Sequence, residues 1–186
     1  NGTMGVTELS RQVQMSKGNV HAHLSSLKDR GFVVNEDGQY RLGLEHLRYG
    51  VKSRNAYDAY EPLRVKTTQL ADETGECIWA FAEENGMVYY LTGAKGEHPV
   101  RPPVEIGERE YMHQTAAGKA ILSRYDDERV WEVIDQHGLP AATEHTITEP
   151  EALFDELEEI RDRGYAFNEQ EIIEGLHGIS APIESQ

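Results

Sequence analysis

Residues 16–31 read Ser16-Lys17-Gly18-Asn19-Val20-His21-Ala22-His23-Leu24-Ser25-Ser26-Leu27-Lys28-Asp29-Arg30-Gly31, and three marks within them decide the fold. Ser16 stands where an N-cap belongs, because its hydroxyl oxygen can accept from an N–H of the first helical turn. Val20, Leu24 and Leu27 follow at i, i+4 and i+7, the spacing of one apolar helix stripe. Gly31 occupies the position at which a left-handed glycine ends a helix. The spacing predicts a helix over 16–30. Upstream, Thr7 is expected to cap a shorter helix running to about Gln14, with Leu9 and Val13 on one face. Downstream, Phe32-Val33-Val34 and Tyr40-Arg41-Leu42 flank Asn35-Glu36-Asp37-Gly38, and Asp-Gly between apolar runs signals a hairpin. Helix, tight turn, helix, hairpin is the order of a winged helix-turn-helix, whose second helix enters the major groove of DNA.

The helix face opposite Val20, Leu24 and Leu27 carries Gly18, Ala22 and Ser25. Small residues there let a helix backbone approach DNA closely. Asn19 and His21 flank them and could reach base edges, asparagine being a good partner for adenine. Lys17 and the Ser16 hydroxyl, at the helix N-terminus, suit phosphates, and Arg41 on the wing is a further phosphate candidate. The wing tip is acidic at Glu36 and Asp37, which disfavours deep insertion of that loop. His21 and His23 are two apart and share no helix face, so they are not a metal pair; His23 lies nearer the apolar stripe and is expected to pack. Winged helices also serve as protein-interaction modules, so this face alone does not exclude that use.

Charge separates the two ends of the chain. Its 186 residues carry a formal charge of −15. Residues 1–54 hold eight basic and five acidic side chains, a balance of +3, which leaves −18 on residues 55–186. Such asymmetry marks a polyanion-binding end joined to something else. Only six lysines occur in the chain and glutamate dominates the acids. A surface of that kind repels itself unless salt screens it, so a halophilic source is the preferred expectation, the alternative being an ordinary acidic cytoplasmic protein. No apolar run approaches the ~18 residues that span a bilayer, and Asn1 to Gly5 lack the basic and apolar regions of a secretory signal. Cys77 is the only cysteine, which leaves no intramolecular disulfide and no multi-cysteine zinc site. The expected location is the cytoplasm, with no membrane partner.

Beyond the hairpin, 44–56 reads as a charged linker helix. A second helix is expected from Tyr57 to about Glu73, with Leu63, Val65 and Leu70 as its apolar positions and Gly75 ending it. Strands are expected at Cys77–Ala82 and Met87–Leu91, joined through Asn85-Gly86, with Cys77 in the core. Residues 97–106 read as a third extended piece limited by Pro102-Pro103. Helices are expected near 115–123, 127–137 and 150–163, and strands at 165–168 and 178–183. That arrangement is an α+β domain with a mainly antiparallel sheet. Catalytic apparatus is not evident. Gly118-Lys119 lacks the rest of a P-loop, no G-x-S-x-G elbow occurs, and His113, His137 and His145 have no metal-ligand spacing. No enzyme, cofactor or metal site is expected; the alternative kept beside this is a metabolite-binding protein or enzyme built on this domain, with the winged helix serving only as a dimerisation module.

These fragments, taken in order, resemble the IclR family of transcriptional regulators over nearly the whole chain. The resemblance rests on Val6-Thr7-Glu8-Leu9-Ser10, Ser16-Lys17-Gly18-Asn19-Val20-His21 and Tyr40-Arg41-Leu42-Gly43. It continues through Leu70-Ala71-Asp72-Glu73-Thr74-Gly75-Glu76 and His113-Gln114-Thr115-Ala116-Ala117-Gly118-Lys119-Ala120. It ends with Arg163-Gly164-Tyr165-Ala166 leading to Gly175-Leu176. It implies a winged helix-turn-helix domain over 1–43, a linker helix over 44–56 and a GAF-like effector-binding domain over 57–186. It implies homodimers or tetramers, a palindromic double-stranded operator, and repression or activation in response to an organic, sugar or aromatic acid. With the acidic surface it points to a haloarchaeal member. Against the family pattern, a helix before Thr7 and a strand and helix after Ile183 are expected to be missing.

By the same resemblance one wall of the effector site is Thr115, Ala116, Ala117 and Gly118, where helix N–H groups could hold a carboxylate. The alternative is that these residues are small only for packing. The opposite wall would be Asn168 and Gly178. Organic-acid-binding members carry an acid and a cysteine there, so this chain drops a charge and gains room, which favours a ligand larger than a two- or three-carbon keto acid. His113 is expected to brace the loop rather than touch ligand. The family usually shows Arg where Ala22 stands and a Ser/Thr pair at Gly18-Asn19, so an unusual operator sequence is expected.

Overall fold

A computed structural model describes residues 2–97 and 104–183, in two compact units, Asn1–Asp58 and Ala59–Gln186. The described residues form seven α-helices and eight strands.

In the first unit, β1 (Met4–Gly5) leads directly into α1 (Val6–Gln12). The helix therefore starts at Gly5, with no side-chain cap, and Thr7 lies inside its first turn rather than at the cap expected of it. The cause is non-local: Met4 and Gly5 pair with Tyr40 and Gln39 of the hairpin, so the chain leaves a strand straight into a helix. Gln14, at a positive φ of 53°, makes the tight turn, which the Ser10 hydroxyl closes by donating to the Met15 carbonyl at 2.6 Å. Helix α2 (Lys17–Asp29) then begins under Ser16, whose Oγ accepts from the Asn19 N–H at 3.2 Å. Val20 and Leu24 are buried, whereas Leu27 and His23 remain exposed, against the expectation for both. The wing is β2 (Val33–Glu36) and β3 (Gln39–Leu42), paired through a two-residue turn. Asp37 and Gly38 both take positive φ, 52° and 83°, the mirror-image turn that matches strand twist. Helix α3 (Glu45–Arg54) follows, with His46 and Tyr49 against the Phe32 ring.

The second unit opens with α4 (Tyr60–Thr74), ended by Gly75 in the left-handed region. Its buried residues are Thr67 and Ala71, while Val65 and Leu70 are exposed, which corrects the face expected from apolarity alone. Thr67 can be buried because its hydroxyl donates to the Arg64 carbonyl at 3.1 Å. Strands β4 (Cys77–Glu84), β5 (Met87–Lys95) and β6 (Arg109–Tyr111) form an antiparallel sheet in that order. Cys77 is half-buried, not a core residue. The extended piece expected at 97–106 falls for the most part on 98–103, outside the described residues; the third strand lies farther on, at 109–111.

A 3-10 turn (Met112–Gln114) leads into α5 (Ala116–Leu122). Helices α6 (Asp127–His137) and α7 (Pro150–Arg163) follow, and β7 (Ala166–Glu169) and β8 (His177–Ser180) form an antiparallel pair. Helix α7 shows why this half folds as it does. Pro150 suits the first turn, Leu153, Leu157 and Ile160 supply one buried stripe at i, i+4 and i+7, and Gly164 ends it in the left-handed region. Those three side chains pack with Val88, Met112, Ala116, Ala120, Leu122, Val130, Val133 and Ala166 into one core. The core lies against α5, so the loop entering that helix is held from below by packed hydrocarbon.

Candidate nucleic-acid interface and effector site

The polar face of α2 is exposed along its whole length. Ser16, Lys17, Gly18, Asn19, His21, Ala22 and Ser25 are all open to solvent; Gly18, Ala22 and Ser25 lie on the side away from Val20 and Leu24, Asn19 and His21 flank them, and Ser16 and Lys17 stand at the helix start. A Cβ added at Gly18 would meet only the Ser16 Oγ, at 4.0 Å, so nothing within the chain requires a glycine there. Arg41 behaves differently. Its guanidinium donates to Glu36 Oε1 through Nε at 3.0 Å and Nη2 at 2.7 Å, and to the Leu42 carbonyl at 3.3 Å. The wing cation expected at a phosphate is thus held by the wing's own acid. Opposite charges at positions 36 and 41, across a two-residue turn, were the sequence signal for that pair.

The second set of expected residues converges around the start of α5. Thr115 caps the helix, its Oγ1 accepting from the Gly118 N–H at 2.9 Å. Thr115, Ala116, Ala117 and Gly118 are buried. A Cβ at Gly118 would lie 2.2 Å from the Met112 carbonyl oxygen, so this glycine lets α5 close onto the preceding turn. Packing within the chain therefore accounts for Gly118, and for Ala116, which belongs to the core.

The preceding turn is anchored at one point: His113 Nε2 lies 3.1 Å from the Pro140 carbonyl oxygen, and Gln114 Nε2 donates to the same oxygen at 2.7 Å. Burial pulls the His113 pKa below its ordinary 6.5, the Pro140 carbonyl opposing and the Lys119 charge adding to the shift.

Asn168 and Gly178 face each other across β7 and β8. Asn168 is buried and both ends of its amide are engaged: Nδ2 donates to the Gln114 carbonyl at 2.8 Å, and Oδ1 accepts from the Glu171 N–H at 3.3 Å. It joins the two expected walls instead of offering a free group. Gly178 is exposed, and a Cβ there would meet only the Asn168 Cβ at 3.8 Å.

Sequence reading missed Lys119 and Glu171. Lys119 is 3% exposed and Glu171 4%, and the ammonium donates to both carboxylate oxygens at 2.7 and 2.8 Å. Glu156 lies 3.6 Å from the same ammonium and is itself bound by Arg163 at 2.7 Å. Burial pushes the Glu171 carboxyl above the ordinary range, against the pull of Lys119. These groups, with Phe167 and His177, line a cavity of ≈630 Å³. The available signal was a single lysine inside the small and apolar run Ala116-Ala117-Gly118-Lys119-Ala120-Ile121-Leu122. Among the described residues no group of three or more His, Cys, Asp or Glu could hold a metal ion, and no helix is long and apolar enough to cross a membrane.

Known proteins match both units. The family described as "Bacterial transcriptional regulator IclR C-terminal" matches residues 54–185, and the "IclR helix-turn-helix domain" matches residues 1–37. The HTH-type transcriptional regulator KdgR of Dickeya chrysanthemi is 32% identical across 97% of this chain. The chain spans 60% of that relative's length. The "Probable HTH-type transcriptional regulator ArcR" of Halobacterium salinarum is 30% identical, over 98% of this chain and 72% of its own. The crystal structure of an IclR transcriptional regulator from Alicyclobacillus acidocaldarius aligns with a TM-score of 0.81 at 26% identity, over all of this chain and 75% of that one.

Proposed function

We propose that this chain, which belongs to the IclR family of transcriptional regulators, reads double-stranded operator DNA through α2 and responds to a small carboxylate-bearing metabolite through its second unit. The observation that carries the DNA reading is the α2 face: exposed Gly18, Ala22 and Ser25 opposite a buried apolar stripe, flanked by exposed Asn19 and His21, on a helix capped by Ser16. Asn19 and His21 would contact base edges, with Gly18, Ala22 and Ser25 allowing close approach. Ser16 and Lys17 would meet phosphates, and Arg41 would do so only by leaving Glu36. The test is a gel shift on the DNA upstream of the chain's own gene. Asn19→Ala is expected to cost ~1–3 kcal/mol at the preferred site and to leave non-specific binding intact. Equal affinity of variant and parent would remove Asn19 from the interface.

The effector would be an organic, sugar or aromatic acid near Thr115–Gly118, Asn168 and Gly178. The regulator would act as a homodimer or tetramer on a palindromic operator, in the cytoplasm. Leu44, Leu47 and Val51 support self-association, because they place exposed apolar side chains at i, i+3 and i+7 from the N-cap of α3 onward. The −18 balance of residues 55–186 supports adaptation to high salt. Melting temperature is expected to rise between about 0.1 M and about 2 M KCl as the repulsion is screened. A flat or falling response would count against it.

A further inference from the structure

We infer that the buried ion pair between Lys119 and Glu171 is a clamp that holds the β7–β8 connection onto α5 and thereby sets the distance between the two walls of the effector site. The inference rests on the reading of Thr115–Gly118 and Asn168–Gly178 as those walls. The two partners are 52 residues apart in sequence, so the clamp joins elements that nothing local would join.

One side of the clamp is rigid. Lys119 follows Gly118, which is seated directly against Met112, and Lys119 is itself inside a helix packed on the core. The other side is seated on the core through Ala166, and its connection is held by Thr143, whose hydroxyl donates to the Gln170 carbonyl at 2.8 Å, but the ribbon itself is narrow. β7 and β8 share four residue pairs and no third strand among the described residues, and a two-stranded pair is marginal in isolation. Glu171 supplies what the ribbon lacks. Its carboxylate takes both bonds from Lys119 and lies 3.4 Å from the Glu169 N–H. Its own N–H is accepted by Asn168, and its carbonyl accepts from the Thr146 hydroxyl at 2.6 Å. Asn168 carries the connection on to the Gln114 carbonyl, one residue before Thr115. A closed circuit therefore runs from α5 through the ion pair and the ribbon back to the turn that starts α5.

A buried ion pair is seldom chosen for stability alone, since an apolar pair of similar volume commonly serves as well. What the pair adds here is a fixed geometry, because the ammonium is held to two oxygens at once. Lys119 and Glu171 are thus positioning residues. They act through the loop and the helix and need not touch ligand.

Hydrogen exchange on the full chain tests this. In Lys119→Met and in Glu171→Gln, amides of residues 166–180 and 112–118 are expected to exchange at least about tenfold faster while β4 and β5 keep the parent's rates. Lys119→Arg, which retains the charge, is expected to restore most of the protection. Loss spread evenly over the unit, or no loss, overturns the clamp. A second arm uses 4-hydroxybenzoate and D-gluconate as probes. Stabilisation of the parent but not of Lys119→Met supports the clamp, and equal stabilisation of both overturns it. If neither probe stabilises the parent, the effector reading fails for those acids, while the exchange pattern still decides the clamp.

Discussion

Two helix starts in this molecule are written in nearly the same way and are used in opposite ways. Ser16-Lys17-Gly18-Asn19 and Thr115-Ala116-Ala117-Gly118 each place a hydroxyl at the cap, accepting from the N–H three residues on, at 3.2 and 2.9 Å. Each has a glycine in the first turn. At Gly18 a Cβ would meet only the Ser16 Oγ, in ordinary contact at 4.0 Å, and at Gly118 it would strike the Met112 carbonyl oxygen at 2.2 Å. Smallness at the second helix start is thus explained from inside the chain. At the first it is not, which leaves it available to a partner outside. The cap is a local device, and it says nothing about what the rest of the turn faces.

The contrast breaks first at Gly118. Gly118→Ala is expected to destabilise the second unit by about 3 kcal/mol or more, because a backbone oxygen cannot rotate away as a side chain could. Both tryptophans, Trp79 and Trp131, lie in that unit, so denaturant unfolding followed by their fluorescence reads it alone. A loss below about 1 kcal/mol would mean that the turn relaxes easily.

Acidification sharpens the comparison next, because the turn before α5 carries a buried imidazole and α2 exposes His21. The His113 pKa is lowered in the fold. Below about pH 6.5 the unfolded chain takes up a proton that the folded chain refuses, so this part of the stability is complete above that pH and is lost as pH falls. The slope can reach about 1.4 kcal/mol per pH unit for one proton. Glu171, with its raised pKa, contributes a slope of the opposite sign. The difference between parent and His113→Gln therefore isolates His113, and parallel pH profiles would show that the imidazole titrates normally.

The caps themselves should differ less. Thr115→Ala leaves a buried N–H without its partner and is expected to cost about 1–2 kcal/mol, against about 0.5–1 kcal/mol for the exposed Ser16→Ala. Equal costs would indicate that burial does not separate the two sites. Gly18→Ala should be the smallest change and of opposite sign, a gain of about 0.5–1 kcal/mol from helix propensity. Its value lies in the second readout: operator affinity should fall if DNA approaches the α2 backbone, and an unchanged gel shift would place the contact elsewhere on the helix.

Most of α2 was legible in the sequence because its signals are local. A capping serine, an apolar stripe and a terminal glycine all act within one or two turns, and the Asp37-Gly38 and Asn85-Gly86 turns are likewise self-contained. Thr7 was misread because a strand pairing 36 residues away sets where α1 begins. Val65 and Leu70 were misread because apolarity ranks residues by preference, whereas Thr67 and Ala71 are the ones α4 turns inward. The Arg41–Glu36 pair was within reach, since both residues sit on one hairpin.

By itself, then, the sequence determined the order of elements, the two charge regimes and the family, all of which follow from neighbours along the chain or from motifs read in order. Only the tertiary structure decided that Asn168 joins two walls and that Lys119 meets Glu171 beneath them. Those contacts depend on loops closing over 52 and 54 residues, and no spacing rule reaches that far: which distant groups meet is set by how the core packs.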